Sequence, residues 1–414
     1  MVSDSAAFAS SVGRGAGRLL LDRSFGPFFV ARLLTSIGVW LHSVVAAIAA
    51  FDATGTALAV GIVSAVQFTP QLLLSPLCGA WADRGNIKRQ MLVGRGLLSA
   101  GSGCLAIWYF MADGASGFVN MVAIVATSTV VGCGLVVGGP AMQSAAPALV
   151  TRDEIPAAMA LNTAPITIGR IAGPVLGAVT ATSGGYQIAF LVASVASLLF
   201  VLLIWGIEFP APSNRASGDR YTVRDGLAFV RSDRPVLLTL VGVTVVGFAS
   251  EPTITLAPPL AAEVGGGAGT VGALTASMGL GAGVGVLTSS ALASRARQER
   301  SVLAGMLIMM ASLGACAMPL HHNAALAAFA GVGFGFITAV SSLSTILQLR
   351  LPERMRGRIA ALWLMGFVGS RPLGSLLVGS LSDAFSVHVS FAVVAIVVLV
   401  GAAICRPRRL LPKT

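Results

Sequence analysis

Two arginines lie inside apolar stretches of the chain. Arg170 sits in Gly169-Arg170-Ile171-Ala172-Gly173-Pro174, and Arg371 in Ser370-Arg371-Pro372-Leu373-Gly374. A guanidinium at the centre of a bilayer costs roughly 2.5–3.5 kcal/mol on insertion scales, so each needs a partner or a use. Glu251 is the one acidic residue well inside an apolar stretch, about 16 residues from its start or roughly 24 Å along a helix. His42 lies at a comparable depth in the first stretch, and Arg32 about five residues into it. These residue types offer two kinds of chemistry: proton exchange at a carboxyl or imidazole, and recognition of an anionic group by guanidinium. Glu251 reads either as a proton or substrate site or as one half of an ion pair with an arginine. His42 reads as satisfied by a neighbouring hydroxyl, or as the partner of Glu251 in coupling across one cavity. Arg170 and Arg371 either bond backbone carbonyls or Glu251, or meet an anionic substrate group or gate the chain's two halves. Arg32 and Arg95 are expected to extend to the nearer membrane surface, Arg32 also being a candidate contact.

The elements that must position these groups follow from composition. The 414 residues are 55% hydrophobic and only 10% charged, with a mean hydropathy of +0.86; soluble domains carry about 25% charge. Twelve stretches of about 20 apolar residues can be drawn, at 27–51, 58–82, 90–112, 117–142, 157–182, 186–208, 235–261, 270–293, 301–320, 324–348, 358–381 and 387–405. Runs such as Phe391–Val400 lack the alternation of barrel strands. The reading is an all-α membrane protein of twelve transmembrane helices.

Of the 27 Lys and Arg, 23 lie in the N-terminal tail, the loops joining even to odd spans and the C-terminal tail. The opposite loops carry Asp52, Asp113, Glu263 and Asp383 instead. By the positive-inside rule both termini are cytoplasmic, in the inner (plasma) membrane. The same distribution explains the basic pI of about 10.6 without a nucleic-acid partner. Residues 1–26 read as a cytoplasmic tail without a cleavable leader, and 406–414 as a basic tail. Between them stand six-helix bundles at 27–208 and 235–405. The linker 209–234 joins the bundles, with an amphipathic helix expected over Tyr221–Val230.

The halves repeat one another. An offset of 201 residues places Arg170 on Arg371, Gly173 on Gly374 and Phe190 on Phe391; an offset of 211 places Val60-Gly61 on Val271-Gly272 and Arg84 on Arg295. An even number of spans separates the copies, so they share an orientation, which suits a transporter with its site between two pseudo-symmetric bundles.

Two motifs carry a family resemblance. Gly79-Ala80-Trp81-Ala82-Asp83-Arg84-Gly85-Asn86-Ile87-Lys88-Arg89 resembles the signature loop of the major facilitator superfamily, with Asn86-Ile87 in place of the usual Gly-Arg. The resemblance implies a cytoplasmic gate loop of Gly79, Asp83, Arg84, Lys88 and Arg89 that latches in one state of the cycle. Gly169, Gly173, Pro174 and Gly177 resemble the exporters' antiporter motif on helix 5, with Ala178 in place of its last glycine. Physically, these small residues permit close helix packing, and the proline bends the helix. Ala53-Thr54-Gly55-Thr56-Ala57-Leu58-Ala59-Val60-Gly61, Pro147–Glu154, Asp225–Val230 and Pro352–Arg358 resemble the macrolide-efflux and enterobactin-exporter branch. The branch's acidic residue after Ser-x-x-Gly in helix 1 and the helix 4 arginine of many antiporters do not occur here.

The resemblance implies the major facilitator fold and a secondary active transporter. It would export a small amphipathic compound, drug-like or a secondary metabolite, by alternating access and proton antiport. The alternatives are an anionic metabolite, siderophore or lipid as cargo, or a non-transporting receptor or scaffold. The chain has no phosphate-binding GxxxxGK[ST] and no catalytic constellation, so an enzyme is not expected. Five dispersed cysteines and the isolated His321-His322 give no metal site. No cofactor is expected. The partners read are a small-molecule substrate, protons and the lipid bilayer, with the chain a monomer.

Overall fold

Chains this apolar must satisfy their backbone groups internally, and helices do so residue by residue. The computed structural model describes residues 16–84, 86–112, 115–209, 229–291, 295–351 and 356–407, and among them every regular element is helical. The first four spans are α1 (Phe25–Thr54), α2 (Ala57–Arg84), α3 (Ile87–Met111) and α4 (Gly117–Ala148). A 51-residue helical stretch follows, Ile155–Trp205. At 1.5 Å per residue it would measure about 76 Å, more than twice a hydrocarbon core. Gly185, at φ 78° and ψ 175°, breaks it, a conformation that a residue with a Cβ rarely adopts. The stretch is therefore two crossings, α5 (155–184) and α6 (186–205). The second half holds α7 (Arg234–Ala249), α8 (Ala268–Ala291), α9 (Arg295–Cys316), α10 (His322–Arg350), α11 (Arg356–Ala384) and α12 (Val387–Ile404). Among the described residues that makes twelve transmembrane helices in two bundles of six.

Pro252, Pro258 and Pro259 divide the end of α7 into two short helices, Pro252–Thr255 and Ala257–Glu263. Proline lacks the N–H that would continue the ladder, so the span is bent where Glu251 sits. Side chains cap several ends: Asn86 Oδ1 accepts from Arg89 N at 3.0 Å, Asp233 Oδ1 from Val236 N at 3.2 Å and Ser386 Oγ from Val389 N at 3.2 Å. Of the expected helix over Tyr221–Val230, only its last two residues fall among those described.

The repeat is visible in how glycines pack. A Cβ on Gly94 of α3 would lie 2.5 Å from Gly138 N, and one on Gly134 of α4 2.6 Å from Gly94 O. In the second half, a Cβ on Gly305 of α9 would lie 2.8 Å from Gly335 O, and one on Gly335 of α10 2.5 Å from Gly305 O. Offsets of 211 and 201 carry one crossing onto the other. Gly169, Gly173 and Gly177 of α5 likewise meet Ser36, Trp40 and Val45 of α1, while Gly374 of α11 meets Phe248 of α7 and Glu251 just beyond it. The motif glycines and Gly374 thus do the same work in both halves, letting a helix lie directly on its neighbour.

The bundles meet along two antiparallel seams, α2 with α11 and α5 with α8. Both are tight at the end carrying Gly55 and Asp383. There a Cβ on Gly61 would lie 2.5 Å from Ser375 O, and one on Gly272 2.3 Å from the Ala178 methyl. Towards the end carrying Gly79 the seams part: Leu73 and Leu77 of α2 are 66% and 69% exposed, and Leu287 of α8 is 74% exposed.

Candidate substrate and coupling site

Near the closed end, a cavity of about 180 Å³ lies between the halves. Trp40 and Ser43 of α1 and Ser64, Gln67 and Phe68 of α2 line it from the first half, and Arg371 of α11 from the second. Gln67 Nε2 donates to Ser43 Oγ at 2.8 Å, and Ser43 Oγ donates to Val39 O at 3.0 Å, so this wall is polar but ordered.

Glu251 is fully buried. Arg371 Nε donates to its Oε1 at 2.5 Å, and Ser64 Oγ donates to its Oε2 at 3.0 Å. The carboxylate therefore holds a cation of its own half with one oxygen and a hydroxyl of the other half with the second. The Arg371 guanidinium also lies 3.9 Å from the centroid of the Phe68 ring, again across the halves. A charge-assisted pair this deep is strong only while both members are charged and hydrogen-bonded.

Arg170 is not bonded to Glu251. Its guanidinium lies between two rings, 4.7 Å from the centroid of Trp40 and 5.0 Å from that of Phe336 of α10, and its Nε is buried with no hydrogen-bond partner. One carboxylate thus faces Arg371 while Arg170 is held by aromatic faces. The pair related by the repeat has diverged into two environments.

His42 does not meet Glu251, contrary to the expectation of a shared cavity. Its Nδ1 lies 3.1 Å from Ser102 Oγ of α3 and its ring 5.3 Å from Phe190 of α6, inside the first bundle. The reason is helix phase: two residues after Trp40, it points about 200° away from the cavity wall. A hydroxyl meets Nδ1, as in the alternative arrangement, while Nε2 is buried with no hydrogen-bond partner. Arg32 and Arg95 do not reach the membrane surface either; both are buried. Arg32 Nε donates to Asn162 O at 3.1 Å and Nη1 to Met142 O at 3.2 Å, because α4 and α5 present carbonyls within reach. Arg95 Nε lies 3.1 Å from Met142 Sδ, with its guanidinium 5.8 Å from the Phe200 centroid.

In the gate loop, a Cβ on Gly79 would meet nothing within 4 Å. Lys88 Nζ donates to Trp205 O at 2.6 Å, and Arg89 is exposed beside the Asn86 cap. The side chains of Asp83 and Arg84 lie outside the described residues.

Known proteins share the chain's family profile and its fold. A family profile described as transmembrane secretion effector covers residues 20–414. The chain belongs to this family. Among curated proteins it is similar to the enterobactin exporter EntS of Citrobacter koseri, 27% identical over 371 residues that cover 86% of this chain and 85% of that protein. The Escherichia coli O1:K1 enterobactin exporter EntS is 26% identical over 370 residues, with the same coverage. The fold is shared with major facilitator structures. A bacterial homologue of the iron transporter ferroportin, inward-facing, superposes with a TM-score of 0.74 at 15% identity, over 95% of this chain and 98% of that one. An inward-facing, unoccupied bacterial homologue of the human lysosomal transporter Spinster gives 0.73 at 15% identity, over 95% and 97%. This secretion effector is thus an integral membrane transporter of the major facilitator type, not an enzyme.

Proposed function

We propose that this secretion effector is a secondary active exporter of the inner membrane, both termini cytoplasmic, that exchanges protons for a small amphipathic compound bearing an anionic group. The observation that carries this reading is Arg371, a guanidinium in the cavity wall held by the buried carboxylate Glu251. Arg170 adds a second, half-buried cation, its Nε buried with no hydrogen-bond partner, so the interior favours a negative guest. Trp40 and Phe68 supply aromatic faces for an apolar body, and Gln67 and Ser43 supply hydrogen-bonding groups. A proton arriving on Glu251 weakens its hold on Arg371 and on Ser64 of the other half. An anionic group competes for the same guanidinium. Proton and substrate then occupy the site alternately, which is the condition for exchange. The basic loops put the open end of the seams on the cytoplasmic side, from which an exporter loads.

A siderophore is a second cargo reading, favoured by the relatives named as enterobactin exporters. Both readings are tested in liposomes under an imposed pH gradient, with neutral, cationic and anionic compounds. Proton-coupled flux is expected for anionic compounds. Glu251→Gln, Arg371→Ala and Arg170→Ala should each cut it by about tenfold or more while protein still reaches the membrane, since breaking a buried charge arrangement is worth several kcal/mol. Wild-type flux in all three variants removes the reading.

A further inference from the structure

Asp383, at the end of α11, crosses to the other half of the molecule. Its Oδ1 accepts from Ala57 N at 2.7 Å and its Oδ2 from Leu58 N at 2.9 Å. Ala57 and Leu58 are the first two residues of α2, whose N–H groups no helix carbonyl can satisfy. The next free donor, Ala59 N, is taken locally by Thr56 Oγ1 at 3.3 Å. The cap of α2 is therefore shared: its own Thr56 serves one donor, and a carboxylate 326 residues away serves two. The positive end of the helix dipole adds to the attraction. Gly379, one turn before Asp383, makes the approach possible: a Cβ there would lie 2.8 Å from Ala57 O and 2.9 Å from Leu58 Cα.

The spacing repeats at the opposite end of the molecule. Gly79-x-x-x-Asp83 closes α2, and Gly379-x-x-x-Asp383 closes α11. In this structure one glycine faces open space and the other is pressed against the neighbouring bundle.

We propose that Gly379 and Asp383 form a second latch, at the end of the molecule away from the gate loop, holding that end shut while the gate-loop end is open. The proposal rests on the alternating-access reading. Opening this end must pull the carboxylate off the first turn of α2, and water takes its place. The strength of this cap thereby sets how often the outer end opens. Asp383 touches no substrate in this scheme; it is a positioning residue for the gate.

The test uses the full chain in lipid discs, free of native cysteines, with spin labels at Thr54→Cys and Phe385→Cys, exposed positions on the two sides of the latch. Asp383→Ala should raise the ratio of long to short label distances about fivefold, the size expected for the loss of an exposed helix cap. Ala57→Pro removes one donor at a position where helices accept proline, and should act in the same direction. Asp383→Glu keeps the carboxylate and should recover most of the short-distance population. Amide exchange at Leu58 should quicken with Asp383→Ala by a similar factor. Unchanged distances and exchange in Asp383→Ala overturn the latch. The label distance needs no substrate, so a wild-type protein without flux would count against the transport reading while the distances still decide the latch.

Discussion

The two ends of the α2–α11 seam are built alike and behave differently. Each end carries a glycine four residues ahead of an aspartate where a helix stops. At one end Gly379 is packed against Ala57 and Asp383 caps α2; at the other, Gly79 has empty space around it and Leu73 and Leu77 are exposed. On the proposed alternating-access reading, closure is a property of state, not of the sequence at either end. A pair of helices that can seal at only one end at a time gives alternating access from a rigid-body rock.

Substitutions can break this comparison with effects of graded size. The largest is expected from Gly61→Val, whose added atoms would start 2.5 Å from Ser375 O in the closed seam. Overpacking of this kind costs roughly 1–3 kcal/mol or more, so the closed end should lose about tenfold or more of its population, read by label distances across it. Gly79→Val should act with the opposite sign. Its side chain meets nothing here but would obstruct closure of the gate-loop end, so molecules should accumulate in the state described. A shift of the same sign in both variants would end the idea of alternating seals. Ser64→Ala removes the hydroxyl that joins Glu251 to the other half. A loss of about 1 kcal/mol, or fivefold, in closed-end population is expected, since one hydrogen bond is deleted. The smallest effect on transport should come from His42→Gln, which leaves the cavity wall untouched. Its pH profile of flux should match the wild type, and a displaced profile would restore His42 to the coupling path.

The spans, the duplication and the family were legible because each rests on local signals: apolar run length, offsets between arginines, a signature-like loop after the second span. The pairing of the buried charges was less so. Glu251 could be recognised as needing a partner, but the choice between Arg170 and Arg371 depends on how α7 bends at Pro252 and where α11 crosses it. His42 and Glu251 share a depth along equivalent helices, yet depth says nothing of angular phase, which turned the imidazole towards Ser102. Arg32 and Arg95 have stems long enough to reach a surface, but Met142 and Asn162 of neighbouring helices offer acceptors sooner. Asp383 was visible as an acidic residue in a loop. Its bond to α2 joins residues hundreds of positions apart and leaves no local trace.

The Arg170 side chain has a mechanical consequence. Trp40 belongs to the first bundle and Phe336 to the second, and the guanidinium lies between their faces. Hydrogen bonds would fix such a contact at one angle, whereas attraction between a cation and a ring face varies gently as the ring slides. A charge held this way works as a lubricated bearing: it keeps the two bodies together at the centre while allowing each to tilt against the other.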